Sequence, residues 1–483
     1  MHDYDILLVN PPKLTEQPET EPSGTLFISK IQKSIAMNPG ILSIASYLQA
    51  HNFSVKIIDL SMDSNFKRLR LELGKETPLV AGVGSISGLD YLESLKCIQI
   101  IKEECPDTIC IAGGQHIGPL GRIALEDCPL LDIVVKYEGE WVTEQIIQRL
   151  KKRKDFADLP GIVFYKNNHL VENSLMPPII DLNELPFMNF ELYPNFRKFT
   201  PFVEESRGCT YGCKFCNSNT INGGCVRIKR AERFAEEMEY AVSLYGTRPM
   251  YAVLASTFGI DYKNAISAAE YIKALDVLWT TEFRADSPWD KFLHPIYDAG
   301  FRVCNIGLES ASPEILLRMG KTNNPASYLK NMEKLVYEIS KIDDLTLRVN
   351  FMFYVGETPK TVRETISFIV RNWYGIDAII YSPLLVLYGT PLYENFHIYE
   401  KEYGAMLIQT DFWKQRHLYL CHPSIYFSLE DISYLGNLME KIFSTEEGWY
   451  RAEMTLYSQE DENTIKRSKN DLIRKRFTRG GVS

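Results

Sequence analysis

The chain has 483 residues, of which 45% are hydrophobic and 24% are charged, and its formal net charge is −9. At ~150 residues per domain this length suggests about three domains, and the composition is ordinary for a globular protein. The negative charge argues against a nucleic-acid-binding protein, which needs a basic face. Because no apolar run reaches the ~18 residues that a membrane span needs, we expect no transmembrane segment.

The first residues, His2-Asp3-Tyr4-Asp5, lead directly into the strand-like run Ile6–Val9. They lack the basic start and apolar middle of a signal peptide, so we expect a cytoplasmic protein. In that compartment, the ten cysteines are expected to be buried thiols, metal ligands or catalytic groups, not disulfides.

Residues 1–153 alternate short apolar runs with amphipathic stretches, which predicts a doubly wound parallel sheet of the α/β class. The predicted strands are Ile6–Val9, Val55–Ile58, Leu79–Val83, Thr108–Ala112 and Ile133–Val135, and the predicted helices are Ile41–Ala50, Tyr91–Lys102 and Trp141–Leu150. Such sheets bind ligands at the carboxyl ends of their strands. Small or turn-forming residues follow several of these strands, at Asn10-Pro11-Pro12, Gly84–Ser87 and Gly113–His116. We expect the last of these segments to be a loop.

Residues 154–200 are rich in proline and asparagine, which predicts a linker with one hairpin. Strand–helix alternation resumes in residues 201–385. The predicted strands there are Phe202–Glu205, Met250–Leu254, Val277–Glu282, Val303–Ile306, Leu345–Tyr354 and Ala378–Pro383. Six such strand–helix units predict a partial (β/α)6 barrel of the TIM type. The sequence of residues 386–483 is mixed and charged. It predicts a small, mostly helical region that closes the barrel, with helices near 429–445 and 461–476.

Three cysteines, Cys209, Cys213 and Cys216, follow the first barrel strand within one short segment. Thiolates at this spacing can bind one 4Fe–4S cluster, and because full ligation takes four ligands, one iron stays open. A zinc site is the alternative, but structural zinc normally takes four protein ligands. No second cysteine or histidine pair lies nearby, and the nearest other thiol, Cys225, is isolated.

This cysteine motif resembles that of the radical S-adenosylmethionine (SAM) enzymes. The resemblance implies that the open iron binds the amino and carboxylate groups of SAM. It also implies SAM contacts from Phe215, Arg284, Gly307, Glu309, Ser310 and Gly356, at positions that match the family's motifs. One position departs from the family pattern, because Ala255 stands where relatives commonly carry an aspartate. The role of that aspartate is therefore absent, or is supplied by Ser256, Thr257 or Asp261.

The first domain resembles the Rossmann-like cobalamin-binding domain that precedes the barrel in one radical SAM subgroup. The resemblance implies cobalamin contacts from Pro11, Gly84, Ser85, Gly113, Gly114, Gln115, His116, Glu138 and Gly139. The domain has no Asp-x-His-x-x-Gly motif, the usual source of an imidazole ligand to cobalt. Three roles stay open for His116: an axial ligand, a loop contact to cofactor or SAM, and a structural position. A relic domain that binds nothing is the alternative.

Together these resemblances imply a cobalamin-dependent radical SAM methyltransferase. In such enzymes one SAM methylates cobalamin, and a second yields a 5′-deoxyadenosyl radical that activates an unreactive substrate centre. The alternatives are a cobalamin-binding radical SAM enzyme that performs oxidation, cyclisation or rearrangement, and a non-catalytic iron–sulfur or zinc scaffold. The expected partners are a small-molecule or peptide substrate and an electron donor such as flavodoxin or ferredoxin. The sequence does not identify the substrate.

Overall fold

The first sheet forms from short apolar runs that alternate with helices, as the sequence predicts. The computed structural model describes residues 2–13, 36–61, 65–247 and 249–444. The strands are β1 (Tyr4–Asn10), β2 (Val55–Asp59), β3 (Pro78–Gly84), β4 (Ile109–Gly113), β5 (Ile133–Val135), β6 (Ile162–Lys166) and β7 (His169–Glu172). Their spatial order is β2-β1-β3-β4-β5-β6-β7, with β1 to β5 parallel and the β6–β7 hairpin antiparallel. The parallel part has the doubly wound order in which ligands bind at the carboxyl edge.

Helices cover both faces of this sheet. They are α1 (Pro39–Ala50), α2 (Lys67–Leu73), α3 (Tyr91–Glu104), α4 (Gly114–Leu120), α5 (Arg122–Asp127) and α6 (Glu140–Lys151). Ile6 and Leu8 of β1 belong to the same core as α1 and α6, whereas Leu7 and Val9 belong to a second core with α2 and α3. Successive side chains of a strand point to opposite faces, so burial on both faces explains the continuous apolar runs.

The prediction that Gly113–His116 form a loop was wrong, because α4 begins at Gly114. Gly114, Gly118 and Pro119 are poor helix formers, and the local sequence therefore favours a loop. Tertiary packing overrides this preference, since Ile117 and Leu120 are buried against the sheet. The helix starts directly at the carboxyl end of β4, and this places its first turn at the edge where a ligand is expected.

The second sheet consists of parallel strands in the order β15-β14-β13-β12-β11-β8. They are β8 (Phe202–Glu204), β11 (Met250–Leu254), β12 (Leu278–Phe283), β13 (Phe301–Glu309), β14 (Thr346–Phe351) and β15 (Ala378–Tyr381). Its main helices are α8 (Ala231–Tyr245), α9 (Tyr262–Ile272), α10 (Trp289–Asp298), α11 (Pro313–Arg318), α12 (Pro325–Ser340) and α13 (Pro359–Asn372). Among the described residues the edge strands β8 and β15 do not pair with each other, so the barrel is partial, and the predicted fold class is confirmed.

A short excursion separates β8 from α8. It contains β9 (Ser206–Arg207), α7 (Ser218–Ile221) and β10 (Arg227–Ile228), and β9 and β10 pair antiparallel. The three cysteines of the motif lie between β9 and α7. The excursion therefore places the motif beside the carboxyl end of the first barrel strand.

The region after the barrel packs against its open side. Its elements are β16 (Val386–Leu387), α14 (Pro391–Glu394), α15 (Phe396–Tyr403), β17 (Met406–Leu407), α16 (Asp411–Lys414), β18 (Leu418–Tyr419), β19 (Cys421–His422) and α17 (Leu429–Phe443). A Cβ atom on Gly436 of α17 would lie 2.4 Å from the Tyr381 ring, so the helix sits directly on β15. The helix predicted at 461–476 lies outside the described residues. No helix in the described ranges has the length and apolar character needed to cross a bilayer.

Candidate functional site

A cavity of about 950 Å³ separates the carboxyl edges of the two sheets. On one side it is lined by the ends of β3, β4 and β5 and the first turns of α1, α4 and α6. On the other side it reaches into the barrel, past residues of β8, β11, β12, β13 and β14. Ligand sites of parallel α/β sheets and of (β/α) barrels lie at these edges. The structure joins both edges into one site.

Glycine makes the first-domain wall of this cavity. Gly114 has a φ of +98°, and a Cβ atom there would lie 2.4 Å from the backbone oxygen of Ser85. No L side chain fits this position, so the ends of β3 and β4 can approach only through glycine. At its glycines, which include Gly84, Gly113, Gly114 and Gly139, the wall has no side chain, and a large ligand can approach the backbone there.

Most residues that we expected to contact cobalamin line this cavity. They are Gly84, Ser85, Gly113, Gly114, Gln115, Glu138 and Gly139. Pro11 and His116 are not among the lining residues.

His116 is buried against the C-terminal region. Its Nε2 atom lies 2.7 Å from the backbone oxygen of Arg416, and because a carbonyl oxygen can only accept, the Nε2–H donates this hydrogen bond. Burial lowers the pKa of His116 to about 4, despite the opposing effect of this hydrogen bond. The imidazole is therefore neutral and bonded to protein, which favours the structural role among the three that the sequence left open.

The cysteine segment faces the carboxyl end of the barrel. Burial raises the pKa of the Cys216 thiol, and Cys213 and Cys209 lie near enough to raise it further. Each sulfur has a polar neighbour: Cys209 lies 3.7 Å from Thr257 Oγ1, Cys213 lies 3.5 Å from Arg284 Nη1, and Cys216 lies 3.4 Å from Ser218 N. Hydrogen bonds to sulfur tune the potential of iron–sulfur clusters. The Arg284 guanidinium and the Ser218 N–H can donate to the sulfurs of Cys213 and Cys216, which favours their thiolates against the effect of burial.

Within residues 2–13, 36–61, 65–247 and 249–444, no three His, Cys, Asp or Glu side chains are grouped so that they could hold one metal ion. A cubane cluster makes a different demand, because each cysteine binds a different iron atom. The absence of a single-ion site in the described residues is therefore compatible with a cluster bound by Cys209, Cys213 and Cys216.

Backbone hydrogen bonds hold the cysteine segment in place. The Lys214 N–H donates to Met319 O at 2.9 Å, and Lys214 O accepts from Leu392 N at 2.8 Å. Gly320, with a φ of +67°, leaves only 2.9 Å between a Cβ position and Gly212 O. The segment is therefore clamped between the turn after α11 and the start of α14.

Several residues expected to contact SAM meet beside this segment. Arg284 donates to both oxygens of Asp286, at 2.8 and 2.9 Å, and stacks 3.6 Å from the centre of the Tyr211 ring. Glu309 has a φ of +64° at a bulge in β13, and its carboxylate pairs with buried Lys321 at 3.1 Å. Non-glycine residues with such a φ are strained and are enriched at functional sites.

The remaining expected SAM residues differ in their placement. Gly307 accepts a hydrogen bond from Tyr328 at 2.7 Å, and Phe215 packs 6.3 Å from the Tyr354 ring. The N–H of Gly356 donates to Pro423 O at 2.7 Å. Ser310 is fully buried, and its hydroxyl lies 3.2 Å from that of Thr365 in α13. Its side chain therefore supports the outer helices and does not face the barrel.

The structure distinguishes the three candidates for the aspartate that Ala255 replaces. Asp261 accepts from Lys263 N and Asn264 N, both at 3.1 Å, and so caps α9. Ser256 accepts from Ser218 Oγ at 3.2 Å, while Thr257 lies beside Cys209. Asp261 has a structural role, and only Ser256 and Thr257 adjoin the cysteine segment.

A buried ion cluster, which sequence analysis did not predict, joins the first domain to the cysteine segment. Its centre is Arg207, two residues before Cys209. The contacts of Arg207 are Glu138 Oε1 at 3.1 Å, Glu140 Oε1 at 2.9 Å, Glu204 Oε1 at 2.8 Å and Ser43 Oγ at 3.1 Å. Arg227 adds a contact of 2.7 Å to Glu138. The Glu138 carboxylate, which we expected at the cofactor, is thus bonded to the barrel.

The opposite charges of this cluster stabilise one another's ionised forms. Burial opposes ionisation of Glu140, but the Arg207 charge and the Ser43 hydroxyl outweigh it, so the pKa of Glu140 is lowered. Buried charges are tolerated only when they are paired and hydrogen-bonded. The cluster therefore fixes the distance between the first-domain wall and the cysteine segment.

Sequence reasoning also missed the polar residues inside the barrel. Glu282, Asn305, Arg348 and Asn350 line the cavity, together with Thr280 and Thr281. The available signal was the alternation of polar and apolar residues in Thr346–Phe351, since a strand covered on both faces usually lacks it.

Known proteins share the sequence and the fold of this chain. Residues 203–369 match the sequence model of the Radical SAM superfamily. The chain is 28% identical over 342 residues to an uncharacterized methyltransferase of Pyrococcus horikoshii, across 68% of this chain and 72% of the relative. It is 25% identical over 348 residues to the anaerobic magnesium-protoporphyrin IX monomethyl ester cyclase of Rubrivivax gelatinosus, across 68% of this chain and 61% of the cyclase.

Among solved structures, the fold matches the radical SAM methyltransferase TsrM of Kitasatospora setae, determined with cobalamin and a 4Fe–4S cluster bound. The TM-score is 0.73 at 16% identity, across 95% of this chain and 91% of TsrM. The chain therefore carries a radical SAM domain and is a radical SAM enzyme. Its two-domain fold is that of the cobalamin-dependent radical SAM enzymes.

Replacing Arg207 with Gln is expected to destabilise the protein strongly. The change leaves the carboxylates of Glu140 and Glu204 buried without their shared countercharge, and breaking a buried pair in this way costs about 3–5 kcal/mol. The free energy of unfolding from urea denaturation measures the effect.

Arg122→Gln is the matched control, because Arg122 pairs with Glu126 at the surface, where both side chains are exposed. Exposed pairs contribute about 0–1 kcal/mol. Equal losses in the two variants would show that the buried cluster contributes no more stability than a surface pair.

Proposed function

We propose that this protein is a cobalamin-dependent radical SAM methyltransferase. It uses one SAM to methylate cobalamin and a second as the source of a 5′-deoxyadenosyl radical. The observation that carries the proposal is the single cavity that connects the glycine wall of the first domain with the barrel interior. The Pyrococcus relative is named a methyltransferase, which supports methyl transfer as the reaction.

Cys209, Cys213 and Cys216 are the proposed ligands of a 4Fe–4S cluster. The sulfur of Cys213 adjoins Arg284 and that of Cys216 adjoins a backbone N–H, and both of these donors suit thiolates. SAM would bind beside them, with Glu309, Arg284, Gly307, Gly356 and Phe215 as its contacts. Ser310 fits this role only through its backbone, because its hydroxyl is buried against Thr365.

The glycine wall is the proposed cobalamin site. Gly84, Ser85, Gly113, Gly114, Gln115 and Gly139 would lie against the cofactor. Gly114 supports this fit, because it lets the ends of β3 and β4 approach closely at the edge of the cavity. Glu138 would act indirectly, by holding Arg207 and Arg227 at the edge of the site.

When bound, the cluster supplies the electron that cleaves SAM, and cobalamin supplies the methyl group for an unreactive substrate centre. The residues of the chain position these groups and exclude water. Arg284 is held by Asp286 and Tyr211, and so presents a fixed positive charge beside Cys213. We also propose that flavodoxin or ferredoxin supplies the electrons.

A second candidate is a cobalamin-binding radical SAM enzyme that cyclises or oxidises its substrate without methyl transfer. The relative from Rubrivivax gelatinosus is named a cyclase, and it aligns over as much of this chain as the methyltransferase does. Both reactions need the same cofactors, so the products distinguish them.

Replacing Cys213 with Ala is expected to abolish the cluster. Only two of the three proposed thiolates remain, and such clusters are held by cysteine thiolates. The anaerobically reconstituted variant should lose the broad visible absorption, the bound iron and the formation of 5′-deoxyadenosine.

Cys225→Ala is the matched control, because Cys225 is an exposed thiol of the same excursion. It should keep all three properties. Full iron content and SAM cleavage in Cys213→Ala would refute the cluster assignment.

Bound cobalamin is expected at about one per chain, without a protein imidazole on cobalt. His116 is bonded to Arg416 O and lies away from the cavity lining. Electron paramagnetic resonance of the cob(II)alamin form tests this, since an axial nitrogen would split the signal. Such splitting, lost in His116→Ala, would contradict the expectation, and failure to retain cobalamin would favour a relic domain.

The methyltransferase is expected to form S-adenosylhomocysteine and 5′-deoxyadenosine in a ratio near one to one with its true substrate. With SAM that carries a deuterated methyl group, the product should gain the label, and both nucleosides are quantified by mass spectrometry. An enzyme that does not transfer methyl groups would form 5′-deoxyadenosine without stoichiometric S-adenosylhomocysteine. That result would reject methyl transfer and leave the radical SAM assignment intact.

A further inference from the structure

Three polar side chains form a row across the inside of the barrel. Glu282 of β12 is in register with Asn305 of β13, which is in register with Arg348 of β14. All three line the cavity. Residues at one level of a parallel barrel form a layer of side chains, and that layer is normally built from Val, Ile and Leu. Two opposite charges and an amide occupy this layer instead.

The orientation of Asn305 is fixed by its neighbours. Its Nδ2 atom donates to Thr280 Oγ1 at 3.0 Å and to Thr281 O at 3.4 Å. Asn305 therefore offers its carbonyl oxygen, an acceptor, to the cavity. Beside it, the Glu282 carboxylate accepts no hydrogen bond from any residue in the described ranges. Two acceptors thus stand side by side in the barrel.

The two charges of the row are only partly compensated by each other. The Glu282 side chain is exposed to the cavity but lies deep within the protein, and this desolvation raises its pKa against the effect of Arg348. Burial also lowers the pKa of Arg348 to about 10, against the effect of Glu282. The Glu309–Lys321 pair faces Glu282 with charges of both signs. A ligand that brings a positive group to Glu282 and a negative group to Arg348 would offset these costs.

We propose that this row is a substrate subsite for an α-amino acid group. The ammonium donates to Glu282 and Asn305, and the carboxylate accepts from Arg348. An ammonium matches adjacent acceptors, and a carboxylate matches the fork of N–H donors on a guanidinium. The inference rests on the proposed function, because it names the substrate class for the same cavity.

Isothermal titration calorimetry on the anaerobically reconstituted full chain tests the subsite. The probes are the twenty common L-α-amino acids, followed by the N-acetyl and carboxamide derivatives of any that binds. At least one amino acid should bind, and each derivative should bind about tenfold weaker or worse, since each loses hydrogen bonds between charged groups. Binding of no amino acid, or equal binding of the derivatives, would overturn the proposal without any variant.

Two variants assign the charges. Glu282→Gln should weaken amino-acid binding by about tenfold or more and remove the preference over the N-acetyl derivative. Arg348→Gln should remove the preference over the carboxamide. Glu338→Gln and Arg371→Gln, on the outer helices α12 and α13, are the matched controls and should bind as the parent does. A retained preference for the free amine in Glu282→Gln would contradict the assignment.

Measuring the nucleoside products as well as amino-acid binding distinguishes a failure of the subsite from a failure of the proposed methyltransferase function. If S-adenosylhomocysteine and 5′-deoxyadenosine form but no amino acid binds, the substrate class is wrong and the methyltransferase stands. If an amino acid binds through Glu282 and Arg348 but no S-adenosylhomocysteine forms, the subsite stands and methyl transfer is rejected.

Discussion

The ionic contact between the two domains at Arg207 is the constraint on which the site depends. A doubly wound sheet and a partial barrel each offer a ligand edge, but chemistry between two cofactors requires that these edges face each other at a fixed distance. Arg207 belongs to the barrel side and bonds Glu138 and Glu140 at the end of the first sheet. Because these charges are buried, a shift of one domain against the other would leave buried carboxylates without their partners. The ion cluster therefore fixes the cavity before any ligand binds.

Local signals made most of the fold predictable. The apolar runs and amphipathic spacings of both sheets depend on residues close in sequence, and the cysteine segment lies within eight positions, 209–216. Glycines at strand ends were readable for the same reason, since Gly114 is required by its own backbone conformation. The helix at Gly114–Leu120 was missed because its glycines and proline favour a loop, and only burial of Ile117 and Leu120 decides otherwise.

Long-range pairing explains what sequence reasoning could not supply. His116 bonds the backbone of Arg416, 300 residues away, and this contact removes it from the cofactor wall. Ser310 matched a family position, yet its hydroxyl is used by Thr365. The row of Glu282, Asn305 and Arg348 comes from three separate strands, and only their register places them at one level. None of these arrangements has a local signature.

The polar side chains inside the barrel bear on how the protein selects and orients its substrate. Radical chemistry needs a site that excludes water, and apolar side chains would achieve this at the lowest cost. The outer side of the strands follows that rule, with Ile306, Leu347 and Val349 buried. Charged side chains that face the cavity lose part of their hydration, and this desolvation destabilises the protein unless a partner compensates it. A group that must fix one substrate atom near two cofactors needs directional partners, and hydrogen bonds to charged side chains are directional where apolar contacts are not. The row of Glu282, Asn305 and Arg348 thus lowers the stability of the protein but orients the substrate.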